Sequence, residues 1–289
     1  MPAGPRGAEG ARRRRVRRPV TARRGRSATA PPWPVLVPAG LAILFLALPL
    51  LGLLVRAPWS RFWEVLTSPT SLAALRLSLV TGLASTVVAV LLGVPLAWLL
   101  ARSTVPGRRF LRALVTVPLV LPPVVGGIAL LLAFGRRGIV GQPLEALTGI
   151  TLPFTTPGVV VAQVFVAMPF LVITVEGALR GLDGKLEEAA VTLGASRVEV
   201  FRRVTVPLVA PSLVAGAVLT FARALGEFGA TITFAGNLEG VTQTLPLAVY
   251  TGLEGDPSEA VVLSLVLLAV SVLVLVGLRD RWLGTGASA

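Results

Sequence analysis

Six long apolar stretches, separated by short polar or charged segments, dominate the pattern of hydrophobic and polar positions along the chain. They cover residues 35–55, 77–100, 113–134, 158–175, 206–222 and 260–278. At about 1.5 Å of rise per residue, each can cross a hydrocarbon core of about 30 Å as an α-helix. Because the stretches are continuous rather than alternating, a transmembrane β-barrel is excluded. The pattern predicts an all-α integral membrane protein with six transmembrane helices, the first over residues 35–55.

The composition supports this assignment and excludes several kinds of chemistry. Apolar residues make up 54% of the chain and charged residues 14%, whereas soluble domains carry about 25% charged residues. The chain has no cysteine and no histidine, which excludes thiolate nucleophiles, histidine-containing triads and zinc clusters of those ligands. We therefore expect no metal and no cofactor to be bound by this chain.

Arginine placement predicts the orientation of the helices. The segments expected on one side of the membrane hold 21 cationic residues, and those expected on the other side hold 4. The positive-inside rule then places both termini in the cytoplasm, which an even number of spans also requires. Residues 1–30 are predicted to be a disordered, Arg-rich cytoplasmic tail, and residues 279–289 a second cytoplasmic tail. Since no aromatic residues interleave with Arg12–Arg15, we expect contact with membrane lipid rather than nucleic acid.

Prolines interrupt the third apolar stretch. Pro118, Pro122 and Pro123 are followed directly by Gly126 and Gly127. Prolines remove backbone hydrogen bonds from a helix, and broken helices commonly line the permeation path of transporters. The cluster predicts a broken or strongly bent third helix, with Pro122 and Pro123 as candidates for the translocation path.

The segment 180–207 between the fourth and fifth stretches is too apolar for a simple linker. Leu182, Leu186, Ala189, Ala190 and Leu193 recur at helical spacing and predict one apolar helix face. Gly194 then interrupts the pattern, and the sequence SRVE that begins two residues later matches a helix capping box. We expect two short amphipathic helices that meet at a glycine turn and protrude towards a partner protein.

At this segment the chain resembles the permease subunits of binding-protein-dependent ABC importers. The sequence EAA at 188–190, Gly194 and the sequence VTVP at 204–207 have the order and spacing of the EAA motif of that family. The resemblance implies the type I ABC importer permease (MetI-like) fold over residues 72–278. It also implies an importer with two cytoplasmic ATPase subunits and a loop that docks on one of them. The resemblance carries this coupling role over to Glu188, Ala189, Ala190, Gly194, Val204 and Pro207.

The chain has no conventional ATP site of its own. A P-loop ends in Gly-Lys followed by Ser or Thr, whereas the single lysine lies in the sequence Gly184-Lys185-Leu186. We therefore expect a non-catalytic membrane subunit, with ATP and Mg²⁺ bound by the partner ATPase. A membrane-embedded enzyme or an ion-coupled secondary transporter would need clustered intramembrane acids with partner bases or two inverted halves, and neither pattern is present.

The substrate prediction rests on a second resemblance. The sequence LGEFGATITF that begins at Leu225, and the sequence TLPLAVY that ends at Tyr250, look like the permeases of molybdate importers, close relatives of sulfate and thiosulfate permeases. That family implies a permease homodimer in the bacterial cell membrane and an extracytoplasmic molybdate-binding protein. Sulfate, thiosulfate and tungstate remain alternative substrates.

Charged and hydroxyl residues near the end of the fifth stretch are further candidates for the path. Arg223 and Glu227 are four residues apart, so they can pair on one helix face. Thr231 and Thr233 offer neutral hydrogen-bond donors of the kind that an oxyanion needs. Two roles stay open for the charged pair: attraction of the anion by Arg223, or a structural lock between helices.

Overall fold

The computed structural model describes residues 33–283, and every regular element within them is a helix. The tail predicted over residues 1–30 and the last part of the tail predicted over residues 279–289 lie outside the described residues. The last helix continues to Leu283 and thus extends into the segment predicted to be the second tail.

Thirteen α-helices and one π-helical turn follow one another along the described part of the chain. They are α1 (Trp33–Val55), α2 (Phe62–Leu66), α3 (Pro69–Arg102), α4 (Arg108–Val120), α5 (Pro123–Phe134), α6 (Gly141–Thr148), α7 (Thr156–Gly181), α8 (Lys185–Thr192), α9 (Arg197–Val200), the π turn (Phe201–Thr205), α10 (Val206–Leu225), α11 (Gly229–Ala235), α12 (Leu245–Glu254) and α13 (Pro257–Leu283).

Five helical segments are long and apolar enough to cross a membrane, and they coincide with five of the six predicted stretches. The second of them begins at Pro69, well before the predicted residue 77. Ser68 explains the early start, because its side-chain oxygen accepts a hydrogen bond of 3.2 Å from the amide of Ser71. Pro69 then occupies a position in the first turn, where the missing amide hydrogen costs no hydrogen bond.

The third predicted stretch is divided into two helices, which confirms the predicted break. α4 ends at Val120 and α5 begins at Pro123. Leu121 has extended backbone angles (φ −68°, ψ 130°), the conformation that a residue before proline prefers. Pro122 and Pro123 have no amide hydrogen with which to continue the helix.

The helices α3, α7 and α10 pack closely at the centre of the bundle. Ala89 and Ala97 of α3 are fully buried. A β-carbon on Gly93 of α3 would lie 3.1 Å from the side chain of Leu171 on α7, and one on Gly216 of α10 would lie 3.0 Å from the same leucine. Small residues therefore allow the three backbones to approach one another, as they do in many membrane bundles.

Charged contacts gather several helix termini at one end of the bundle, which we call the loop end. Arg102 at the end of α3 contacts Glu187 of α8 at 3.2 Å. Arg112 in the first part of α4 contacts Glu176 near the end of α7. The loop end therefore brings together the termini of α3, α4 and α7 with the segment that carries the EAA motif.

The opposite end of the bundle carries its own charged contact. Arg61, just before α2, donates a hydrogen bond of 2.9 Å to Asp256, which directly precedes α13. The backbone amide of Ser258 and the Arg61 guanidinium hold the pKa of the Asp256 carboxyl below its usual value. Asp256 thus caps α13 as a carboxylate and fixes α2 against it.

Helices α11 and α12 connect the fifth and sixth spans, and the sequence pattern did not predict them. Phe234 of α11 is fully buried and belongs to a core cluster with Leu130 of α5 and Val166 of α7. The hydroxyl of Ser78 on α3 accepts a hydrogen bond of 2.7 Å from the amide of Leu245, the first residue of α12. Because these partners are distant in sequence, local periodicity could not reveal the two helices.

Close packing between α5 and α11 makes a testable prediction at Gly127. A β-carbon at this position would lie 2.5 Å from Cβ of Thr233. We expect Gly127→Ala to lower the stability of the bundle by about 1–3 kcal/mol through overpacking. Gly177→Ala is the matched control, since no atom lies within 4 Å of its added β-carbon. Thermal unfolding of the purified variants in detergent measures the difference, and equal midpoints would contradict the packing.

Candidate functional site

Gly194 ends the first helix of the EAA segment, as predicted. Its φ is +90°, a left-handed conformation that costs glycine little. The amide of Gly194 donates to the carbonyl of Val191 at 2.9 Å, and the amide of Ala195 donates to the carbonyl of Ala190 at 3.1 Å. These bonds close α8 and turn the chain towards α9.

The predicted capping box is present at the start of α9. The side-chain oxygen of Ser196 accepts a hydrogen bond of 3.3 Å from the amide of Glu199. A carboxylate oxygen of Glu199 in return accepts a hydrogen bond of 2.9 Å from the amide of Ser196. Two amides that a helix start leaves without a partner are thereby satisfied.

The second helix of the segment is not separate, so the prediction of two short helices was wrong at this point. α9, the π turn and α10 form one helical segment from Arg197 to Leu225. Pro207 offers a physical reason for the π turn, since a proline clashes with the carbonyl of the residue four positions earlier and a wider turn relieves the clash. Val204 lies within the π turn and is half-buried, whereas Pro207 is exposed.

The surface of α8 and its turn combines exposed apolar side chains with the exposed motif residue Glu188. Ala189 is also exposed, and Ala190 is half-buried. Leu182 departs from the predicted apolar face, because it lies at the end of α7 and packs against the bundle core. The large apolar side chains exposed on this surface and at the adjoining start of α9, with exposed fractions of 52% to 89%, are those of Leu186, Val191, Leu193 and Val198.

Glu176 is a charged residue whose partners the sequence analysis did not identify. Its carboxylate is buried near the end of α7 and accepts a hydrogen bond of 3.0 Å from Nε of Arg112. Nε of Arg180 lies 3.6 Å from the same oxygen. A buried carboxylate is tolerated when cations and hydrogen bonds compensate for its lost hydration. A glutamate at the edge of an apolar stretch was the available hint, but its partner on α4 is distant in sequence.

The predicted pair of Arg223 and Glu227 is present. The guanidinium of Arg223 lies 2.8 Å from the carboxylate of Glu227, and Glu227 is 1% exposed whereas Arg223 retains 29% side-chain exposure. α10 ends at Leu225, so Glu227 lies just beyond the helix rather than on it. Its second oxygen accepts a hydrogen bond of 2.8 Å from the amide of Ala230 in the first turn of α11. Glu227 therefore connects Arg223 to the start of α11.

A cavity of about 110 Å³ lies beside Arg223 at the break between α4 and α5. Pro123 and Gly126 line it at the start of α5. A β-carbon on Gly229 would lie 2.7 Å from Pro123, so the start of α11 packs directly against the same helix. The remaining lining residues are Pro118, Leu119, Leu121, Phe165, Val166 and Phe170.

The other predicted path residues do not line this cavity. Pro122 lies in the break itself, next to Pro123. Thr233 contacts the start of α5 through Gly127, and its hydroxyl donates to the carbonyl of Gly229 at 2.8 Å. Thr231 is fully buried, and its hydroxyl has no hydrogen-bond partner among the described residues. Arg223 is thus the charged predicted residue that reaches the cavity.

A buried polar contact between α3 and α7 was missed by the sequence analysis. The hydroxyl of Ser85 donates a hydrogen bond of 2.8 Å to the side-chain oxygen of Gln163, which is 1% exposed. The side-chain nitrogen of Gln163 has no partner within the described residues. Such hydrogen bonds hold membrane helices together, and one glutamine in an apolar stretch was too weak a hint to identify this one.

Comparison with known proteins finds permease proteins that are similar to this chain over most of its length. The chain is 54% identical over 251 residues to the molybdenum transport system permease protein ModB of Mycobacterium tuberculosis, covering 87% of this chain and 94% of the relative. It is 42% identical to the protein of that name from Escherichia coli, over 76% of this chain and 95% of the relative. The sulfate transport system permease protein CysT of Salmonella typhimurium is 39% identical, over 80% of this chain and 85% of the relative.

Solved structures share the fold at low sequence identity. A chain of a bacterial ABC transporter involved in the import of the acidic polysaccharide alginate superposes with a TM-score of 0.70 at 18% identity, covering 86% of this chain and 93% of that one. The inward-facing MetNI methionine ABC transporter gives a TM-score of 0.53 at 21% identity, covering 74% and 99%. These similarities confirm the type I ABC importer permease fold.

A family match covers most of the region in which these features lie. Residues 89–284 match the family described as binding-protein-dependent transport system inner membrane component. The match includes the broken third span, the EAA segment and the pair of Arg223 and Glu227. The chain is a multi-pass membrane protein, and it belongs to this family of inner membrane components of binding-protein-dependent transport systems.

Proposed function

We propose that the chain is the permease subunit of an ATP-driven ABC importer that moves molybdate across the bacterial cell membrane. The observation that carries the proposal is the 54% identity to a molybdenum transport permease across nearly the full length of that relative. An extracytoplasmic binding protein delivers the anion, and a separate ATPase supplies the energy. This chain itself catalyses no reaction.

The ATPase binds at the loop end through α8 and its turn. The exposed apolar side chains of this surface suit a groove on a partner protein. The permease acts as a homodimer, so that each of two copies presents one EAA segment to one of two ATPase subunits. ATP and Mg²⁺ are bound on those subunits, since this chain has no P-loop lysine.

The loop end faces the cytoplasm in this proposal, and both termini lie on the same side. The support is the arginine distribution, with 21 cationic residues on the loop-end segments and tails and 4 on the other side. Helices α11 and α12 then lie towards the extracytoplasmic side, where the binding protein delivers the anion.

The anion passes the break between α4 and α5 beside Arg223. The start of a helix presents free amides and a positive dipole, which favour an anion, and Arg223 adds a positive charge at the same cavity. Glu227 neutralises most of this charge, so the site attracts an oxyanion without holding it tightly. The structural lock and the anion contact thus involve the same pair of residues.

The transport reaction itself is the first test. In proteoliposomes that contain the permease, its ATPase and its binding protein, we expect ATP-dependent uptake of radioactive molybdate that excess sulfate reduces only weakly. Stronger competition by sulfate than by unlabelled molybdate would transfer the assignment to the sulfate branch, to which the chain is also related. A tungstate arm of the same assay determines whether the importer distinguishes molybdate from tungstate.

The turn at Gly194 tests the coupling role of the loop. Any side chain at its φ of +90° is strained, so Gly194→Ala distorts the end of α8. We expect copurification of the ATPase to fall severalfold. Gly184→Ala is the matched control, because this glycine at the other end of α8 has φ −59° and no atom within 4 Å of an added β-carbon. Equal copurification of both variants would refute the docking role.

The two roles of Arg223 are separated by two single substitutions. Glu227→Gln keeps an oxygen for the amide of Ala230 but removes the charge, whereas Arg223→Gln removes the cation from the cavity. If Arg223 attracts the anion, Arg223→Gln lowers uptake per assembled complex by about tenfold or more, as loss of a charged contact of about 1.5–3 kcal/mol implies. If the pair is only a lock, both variants lower assembly and thermal stability alike. Normal uptake by Arg223→Gln would exclude both roles.

A further inference from the structure

Glu187 connects helix α8 to two other helices of the bundle. One of its carboxylate oxygens lies 3.2 Å from a terminal nitrogen of Arg102, the last residue of α3. The other oxygen accepts a hydrogen bond of 2.7 Å from the hydroxyl of Thr205, the last residue of the π turn. One side chain therefore holds α8 against the end of the second span and the beginning of the fifth.

Partial burial distinguishes this connection from an ordinary surface ion pair. Thr205 is 2% exposed, and the side chains of Glu187 and Arg102 are 24% and 26% exposed. Nε of Arg102 and the terminal nitrogen that faces Glu187 are buried and form no hydrogen bond among the described residues, so the contact with Glu187 is an ion pair. The cation therefore depends on the nearby carboxylate of Glu187 for compensation, and removal of one partner of such a pair is costly.

The other polar contacts of α8 stay within the loop. Lys185 lies 3.9 Å from Asp183, and the hydroxyl of Thr192 donates to the carbonyl of Glu188 at 2.9 Å. Across the described residues, Glu187 supplies the side-chain hydrogen bond and ion pair that join α8 to other helices. Its neighbour Glu188 is exposed, so adjacent glutamates face the bundle and the solvent respectively.

We propose that Glu187 is a positioning residue that transmits movement of α8 to the second and fifth spans. The proposal rests on the proposed function as an ATP-driven importer, in which the ATPase moves α8. α8 lies between the turns at Gly184 and Gly194, and its polar side-chain contacts with the rest of the bundle are those of Glu187 among the described residues. Through Arg102 and Thr205, Glu187 fixes α8 to the bundle without contributing to the docking surface.

The test is Glu187→Gln in the reconstituted complex of permease, ATPase and binding protein. Glutamine keeps an oxygen for the hydroxyl of Thr205 and removes the charge that Arg102 needs. We expect the ATPase to copurify normally and to hydrolyse ATP, while radioactive molybdate taken up per ATP hydrolysed falls by about fivefold or more, the lower range of allosteric coupling. Asp183→Asn is the matched control, since this exposed carboxylate of the same loop has its ion pair with Lys185. We expect this variant to take up as much molybdate per ATP hydrolysed as the unmodified complex.

A charge reversal separates transmission from simple folding. The double variant Glu187→Arg with Arg102→Glu restores an ion pair between α8 and α3. We expect it to recover part of the molybdate uptake per ATP hydrolysed that Glu187→Gln loses. An unchanged ratio in Glu187→Gln, or loss of ATPase copurification as expected for Gly194→Ala, overturns the role of Glu187 while the importer function stands. Absence of ATP-dependent molybdate uptake by the unmodified complex overturns the proposed function, and this inference with it.

Discussion

The interior of a membrane contains no water that could satisfy a free backbone amide or carbonyl, and this constraint determines where the bundle tolerates irregular backbone. The break after Val120 falls at two prolines, which have no amide hydrogens to leave unsatisfied. The second irregular point lies after Leu225, where the carboxylate of Glu227 accepts a hydrogen bond from the amide of Ala230. Both irregular points lie against one another, since the start of α11 contacts Pro123. A membrane bundle places non-helical backbone where protein surrounds it, and here that place is also the cavity beside Arg223.

Charged side chains in the bundle also need partners that replace water. Glu176, Glu187 and Glu227 each have an arginine within ion-pair distance, and each also reaches a second group, namely another arginine, a threonine hydroxyl or a backbone amide. The two partners compensate each partly desolvated carboxylate for its lost hydration. The pairs of Glu176 and Glu187 lie at the loop end and join helices, whereas the pair of Glu227 lies beside a cavity. A similar electrostatic arrangement thus joins helices in one place and lies beside the cavity that we propose as the anion path in the other.

Sequence reasoning predicted the features that depend on local chemistry. Apolar length predicted the spans, prolines predicted the divided third helix, and Gly194 with the serine and glutamate that follow it predicted the turn and the capping box.

Sequence reasoning failed where a distant residue decides the local structure. α12 begins at Leu245, whose amide donates a hydrogen bond to the hydroxyl of Ser78 on α3. Leu182 packs with the bundle core rather than on α8. The partners of Glu176 and Glu187 are likewise remote in sequence, and no periodicity connects such positions. The continuous helix from Arg197 was missed because a capping box predicts where a helix begins and gives no information on where it ends.

That continuous helix connects the two parts of the molecule to which we assign function. It has 29 residues, so it is about 43 Å long at 1.5 Å per residue. Its first turn carries the capping box of the EAA segment, and its last turn carries Arg223. The π turn is an irregular point along it, and the hydroxyl of Thr205 in that turn bonds to Glu187 of α8. A displacement of α8 that Glu187 passes to Thr205 therefore enters a helix whose other end holds the cation at the cavity. In the mechanism that we propose, coupling between the loop end and the cavity beside Arg223 runs along this helix.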